Sequence, residues 1–221
     1  WSLTVKPLGH RGLRFQPGQF AWITVLNSPF SEAEHPFSIS SSASKPERLT
    51  FTIKELGDFT RKIKTLQPGL EVFIDGPFGH FSVDRHTHAE QFMFIAGGVG
   101  ITPIMSMLRT LSDRGDRRPL ILLYANKDWE GVTFREELER LEDSLNLRVV
   151  HVLERPAPGW EGEQGFINKE MLKRYLPESA RRNLVEIFIC GPQPMMNAVE
   201  KSLADLGVPF GDVHSERFNL V

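Results

Sequence analysis

The sequence predicts two domains: an antiparallel β-barrel, then an α/β domain built on a doubly wound parallel sheet. Three observations predict it. Through residue 79, short β-rich runs alternate with Pro-Gly and Gly-Pro turns, the pattern of a small barrel. After residue 90, apolar strand-like runs alternate with amphipathic helical runs, which implies parallel strands covered by helices. Between the first strand and first helix of that second part stands a charge-free, glycine-rich stretch, "FIAGGVGITP" (94–103), where open parallel sheets receive ligands.

The chain opens inside what reads as a strand, "WSLTVKPLGH", and without a methionine, so an excised piece of a longer protein is expected. "FQPGQFAWITVLN" follows a Pro-Gly turn with β-rich residues, and "RLTFTIKEL" alternates Leu49, Phe51 and Ile53 with Thr50, Thr52 and Lys54, a half-buried strand. "GDFTRKIKTL" reads as one short helix, and "PGLEVFIDGPFG" as a strand with Val72 and Ile74 inward, ended by a Gly-Pro turn. "DRHTHAE" (84–90) reads as a linker, so the domains are expected to span 1–88 and 89–221.

In the second part, "FMFIA" is the continuous apolar run of a strand buried on both faces. The next helix is expected to have Thr102 as N-cap, Pro103 at its first position and Gly115 just past its end. "LILLYA", "LRVVHVL" and "EIFIC" are further strands, and "VHSERF" a last edge strand. Between them lie helices with an expected capping box at Thr133–Glu136, an Asn168 cap, and an end at Gly207.

Composition excludes several functions. The chain has 221 residues, 26 basic against 28 acidic, and a net charge of −2. No basic excess is available for phosphate contacts along a duplex, so no nucleic-acid partner is expected. One cysteine, Cys190, rules out an internal disulfide or a four-cysteine cluster. The charge-free run from Gln91 to Leu108 approaches spanning length, but glycines and Pro103 interrupt it; no membrane span is expected in this chain. His86 and His88, two apart with no other ligand nearby in sequence, read as solvated loop, and no metal is expected.

The spacing of Gly97, Gly98 and Gly100 is not G-x-G-x-x-G. Yet glycines at a strand end let backbone approach a ligand, and the following helix start suits a phosphate. A tight turn without ligand is the alternative. Phe37 alone reads as either core or cofactor platform, His35 as surface or packed histidine, and Cys190 as a small buried apolar residue.

Taken in order, "HPFSIS" (35–40), "GDFT" (57–60), "GPFG" (76–79), "GGVGITP" (97–103), "CGP" (190–192) and "ERF" (216–218) make the chain resemble, over essentially its whole length, the ferredoxin–NADP reductase superfamily. Where that superfamily usually has Arg-x-Tyr-Ser/Thr, this chain has His35-Pro36-Phe37-Ser38, which resembles the NADPH oxidase and ferric reductase branch. The resemblance implies an FAD-binding barrel and a nicotinamide-dinucleotide domain, with hydride passing from NAD(P)H to the flavin and single electrons passing on.

It implies that Phe37 packs on the flavin and Ser38 lies near the atom that takes the hydride. His35, Gly57 and Thr60 would hold the FAD pyrophosphate, and Gly76 and Gly79 would shape a turn near the adenine. Gly97, Gly98, Gly100 and Thr102 would contact the nicotinamide dinucleotide, and Cys190 and Gly191 the nicotinamide ring. Glu216 and Phe218 match the terminal Glu-x-aromatic pattern, in which Phe218 covers the flavin; an edge-strand core phenylalanine is the alternative. Lys127, beside Asp128, is expected to favour NADPH, with NADH as the alternative. The implied partner is a haem-containing membrane domain or another redox partner, with the chain at the cytoplasmic face of a membrane. A soluble reductase with a diffusible acceptor and a nucleotide-binding regulatory module are the competing readings.

Overall fold

A computed structural model describes residues 1–25, 35–55, 57–182 and 184–218. In the first part, β1 (Ser2–Val5) pairs antiparallel with β4 (Leu49–Thr52). β2 (Phe20–Val25) lies between β3 (His35–Ser38) and β5 (Val72–Phe78), again antiparallel. A bridge between Ile39 and Phe51 links the two sheets. Alternate residues face one core: Ala21, Ile23 and Val25 from β2 meet Leu49, Phe51 and Ile53, as a period of two requires. The short helix α1 (Asp58–Lys62) follows.

The second part is a six-stranded, all-parallel sheet. Its strands are β6 (Gln91–Gly97), β7 (Leu120–Asn126), β8 (Leu147–Leu153), β9 (Glu163–Gln164), β10 (Val185–Cys190) and β11 (Val213–Glu216), in the order β11-β10-β6-β7-β8-β9. The helices are α2 (Ile101–Asp113), α3 (Arg135–Ser144), α4 (Lys169–Tyr175) and α5 (Gln193–Asp205). Phe92, Phe94, Leu122, Tyr124, Phe188 and Cys190 face α2 and α3, while Met93, Ile95, Leu123, Ile187 and Ile189 face α4 and α5. Each large apolar side chain so buried contributes about 1.5–3 kcal/mol. Because β6 comes first in the chain but lies inside the sheet, the strand order reverses between β6 and β10, which opens a crevice beyond their carboxyl ends.

Helix α2 also fastens the barrel. Ser106 Oγ donates to Ser41 O (2.7 Å), Arg109 Nη1 to Ser40 O (2.5 Å), and Ala43 N–H to Thr110 Oγ1 (2.9 Å). Arg109 is itself gripped by Glu137 of α3 through two 2.6 Å contacts. The polar residues of an otherwise apolar helix thus face backbone groups of the segment that follows β3.

Some local expectations hold and others do not. Asn168 caps α4 by accepting from Met171 N–H (2.9 Å), and Gly115 (φ +67°) and Gly207 (φ +81°) follow their helices. Thr102 is not an N-cap: Gly100 is, after a 3-10 turn over Gly98–Gly100, and the Thr102 hydroxyl donates back to Val99 O in that turn. Nor does Thr133 form a capping box. Phe134 starts α3 in the left-handed region (φ 62°), and the Thr133 hydroxyl instead meets Tyr124 Oη at 2.8 Å. Gly76 lies within β5 rather than in a turn, its α-carbon facing Ala21 beside a register shift in β2. The edge strand β9 was not foreseen; two residues leave no period to detect.

Candidate active site

A cleft of about 850 Å3 lies at the switch point. Thr52, Lys54 and Glu55 continue β4 along one wall; Gly97, Gly98, Val99, Thr102, Asn126, Lys127, Glu154, Pro192 and Met195 form the other. The barrel and the parallel sheet therefore share one concavity, of a size usual for small-molecule sites.

The glycines of this wall have different jobs. A Cβ on Gly100 would stand 2.2 Å from Cys190 O, and one on Gly97 would stand 2.7 Å from Pro192 and Met195. Gly191 is likewise pressed against Gly97 N and Met195. These three let the ends of β6 and β10 close on each other. Gly98 differs: its φ is +51° and a Cβ there would meet nothing within 4 Å among the described residues. It offers bare backbone to the cleft, directly before α2, the cradle a dinucleotide phosphate needs.

Lys127 lines the cleft as expected. Asp128 is committed elsewhere, its Oδ1 accepting from Gly131 N–H at 2.9 Å. Glu154 also lines the wall. Sequence reasoning missed Lys54, Asn126, Glu154 and Met195; Asn126, beside Lys127, and Met195, three residues past the "CGP" motif, had a signal.

Cys190 and Glu216 are brought together, paired in register between β10 and β11. Cys190 is fully buried, and burial together with the Glu216 charge pushes its thiol up. It stays protonated and is no nucleophile. Burial also raises the Glu216 carboxyl. Phe218 is 40% exposed just beyond β11, at the end of the described residues.

On the barrel side, Ser38 is buried and Phe37 packs against the barrel core; neither lines the cleft wall. Burial lowers the pKa of His35, so near neutral pH its ring offers hydrogen bonds more than charge. Among the described residues nothing stands within 4 Å of where a Cβ on Gly57 would be, and its N–H is held by Thr60 Oγ1 at 2.8 Å. The Thr60 hydroxyl therefore closes the turn of α1 and donates to Gly57 O. Gly79 (φ +95°) packs on Phe20 and accepts from Gln19 Nε2 at its carbonyl (3.0 Å).

The "solvated loop" expectation for His86 is wrong. Its ring packs on His214 and Phe188, and its Nδ1 lies 3.2 Å from the buried Glu186. The strand that brings Glu186 there is a hundred residues away in sequence.

Two family models match: an FAD-binding domain over residues 3–82 and an oxidoreductase NAD-binding domain over residues 94–201. The chain belongs to the ferredoxin–NADP reductase-like superfamily of FAD- and NAD-binding oxidoreductases, and its cofactors are FAD and a nicotinamide dinucleotide. It is 31% identical, over 91% of its length and 58% of the relative's, to the stachydrine N-demethylase reductase subunit Stc4 of Rhizobium meliloti. It is 32% identical, over 86% of its length and 60% of the relative's, to NADH-cytochrome b5 reductase 2 of Phaeosphaeria nodorum. The chain thus spans little more than half of these relatives. The solved CS-b5R domains of human Ncb5or in the NAD+ form match with a TM-score of 0.82 and 26% identity, over 97% of this chain and 64% of that one.

Proposed function

We propose that this chain is the flavin- and nicotinamide-binding part of a reductase, dividing near residue 88, that takes hydride from NAD(P)H and hands electrons singly to a separate redox centre. The observation that carries this is the cleft at the switch point, walled by the barrel on one side and by the open backbone of Gly98 on the other. FAD supplies the conversion from a two-electron donor to one-electron steps. The chain's own residues supply placement. Gly98 and the start of α2 receive the dinucleotide phosphates, and Lys127 takes the 2′-phosphate of NADPH while Asp128 is tied into its turn. Glu154 is the acid that a free ribose hydroxyl would use instead. His35, Phe37, Ser38, Gly57 and Thr60 hold the flavin on the barrel, and Cys190, Glu216 and Phe218 stand at the nicotinamide end.

The acceptor is a haem-bearing membrane domain, a reading supported by the His35-Pro36-Phe37 motif; among the described residues no helix is long and apolar enough to cross a membrane. The reductase-subunit relative favours a separate protein acceptor as the second reading.

One anaerobic experiment tests the assignment. The chain reconstituted with FAD is mixed with NADPH or NADH and flavin absorbance is followed. Bleaching by both is expected, with a lower KM for NADPH, and Lys127→Ala should raise the NADPH KM about tenfold while leaving that for NADH nearly unchanged. Binding without bleaching would make the chain a regulatory module; equal effects on both nucleotides would move the specificity from Lys127 to Glu154.

A further inference from the structure

At the end of β10 opposite the cleft, about 13 Å along the strand from Cys190, three remote stretches of chain converge. Glu186 is only 3% exposed, and among the described residues its ion-pair partners are all imidazoles. His86 Nδ1 and His88 Nε2 approach its Oε1 at 3.2 and 2.8 Å, and His214 Nε2 approaches its Oε2 at 2.5 Å. One ligand atom each from His86, Glu186 and His214 lie within 4.8 Å of one another. The rings of His86 and His214 are 4.0 Å apart, and both pack on Phe188, which floors the cluster with an apolar surface. Asp212 is buried close by, its Oδ2 without a hydrogen-bond partner among the described residues.

A buried carboxylate needs a positive partner. Three protonated imidazoles around it would repel one another, whereas neutral His86 and His214 rings can turn lone pairs toward the point they share with Glu186. Two imidazole nitrogens and a carboxylate oxygen suit zinc-class cations rather than magnesium or calcium, which prefer oxygen alone. Metal–ligand bonds of about 2.0–2.2 Å place tetrahedral ligand atoms roughly 3.3 Å apart, and the three ligand atoms here already lie within 4.8 Å of one another. We propose that His86, His214 and Glu186 form a binding site for a zinc-class divalent cation, with water completing the coordination. The cation replaces the protons shared between the imidazoles and Glu186, which leave to solvent. Bound there, it clamps the 84–90 segment to β11, two residues before Glu216, which the function proposed above puts at the nicotinamide end.

The test uses the FAD-loaded chain, stripped with a chelator and titrated calorimetrically with Zn2+ and, separately, Mg2+. One equivalent of Zn2+ should bind at micromolar concentration or tighter, and Mg2+ should not. Saturating Zn2+ should raise Tm by roughly 5 °C or more. Glu186→Gln and His214→Ala should each weaken Zn2+ binding roughly tenfold or more, whereas His10→Ala, at an exposed histidine, should not. Should a variant fail to fold, Co2+ added to the wild-type chain decides: the intense visible bands of four-coordinate Co2+ support the site, and the weak bands of hydrated Co2+ overturn it. Absence of wild-type Zn2+ binding, or equal loss in His10→Ala, leaves only a histidine–carboxylate hydrogen-bond network and overturns the proposal.

Discussion

Glu216 shows how one residue's surroundings set its chemistry. It stands in register with Cys190 on an edge strand, and burial holds its carboxyl above the ordinary range. Its folded pKa therefore exceeds its unfolded value, so the folded chain binds the proton more tightly. The stability this gives is fully present below about pH 4.3 and is lost as pH rises through the raised folded value. Glu216→Gln carries no such dependence. Urea unfolding of the variant and the wild type at several pH values between about 4 and 7 should show the variant gaining relative stability as pH rises; a constant difference would refute the burial account. Glu216 itself was legible in the sequence through "ERF". Its burial was not, because an edge strand exposes or covers a residue according to what packs beside it.

At the scale of elements, the β6–α2 junction separates two kinds of glycine that look alike in "GGVGITP". Gly100 is required by packing, since a Cβ would collide with the carbonyl of Cys190, and backbone cannot easily yield. Gly98 is required by its positive φ and faces open space. Gly100→Ala should cost about 1–3 kcal/mol or more in unfolding free energy. Gly98→Ala should cost about 1–2 kcal/mol for the left-handed backbone and, unlike most folding defects, should also weaken nicotinamide binding. Denaturant curves and nucleotide titrations of both variants check this; equal stability of Gly100→Ala and wild type would mean that β6 and β10 are not closed on each other as described. The motif was visible in the sequence, but the division of labour within it depends on β10, ninety residues further on.

At the scale of the molecule, the barrel is fastened to the sheet by the polar face of α2. Arg109 is its centre, bonded to Ser40 O and to both oxygens of Glu137. Arg109→Met should lower stability by about 2 kcal/mol, because Ser40 O loses its donor and Glu137 is left half-buried and unpaired. It should also slow flavin reduction by NADPH, since the two walls of the cleft lose their common tie. Arg109→Met with Glu137→Leu should recover part of the stability but not the reduction rate. Thermal unfolding and stopped-flow absorbance read the two effects separately, and unchanged rates in Arg109→Met would show that α2 does not register the barrel against the sheet.

The sequence by itself determined what depends on short-range pattern. The period-two runs of the first part, the apolar runs and helices of the second, the helix stops at Gly115 and Gly207, the Asn168 cap and the glycine stretch at a strand end are all local. Side-chain alternation, capping and positive φ act within a few residues. The tertiary structure alone decided which distant groups meet. It set Glu216 beside Cys190, turned Ser106, Arg109 and Thr110 toward the barrel, and gathered His86, Glu186 and His214 around one point. Those encounters follow from strand order and from the path of the chain between strands, and no periodicity along the sequence carries that information.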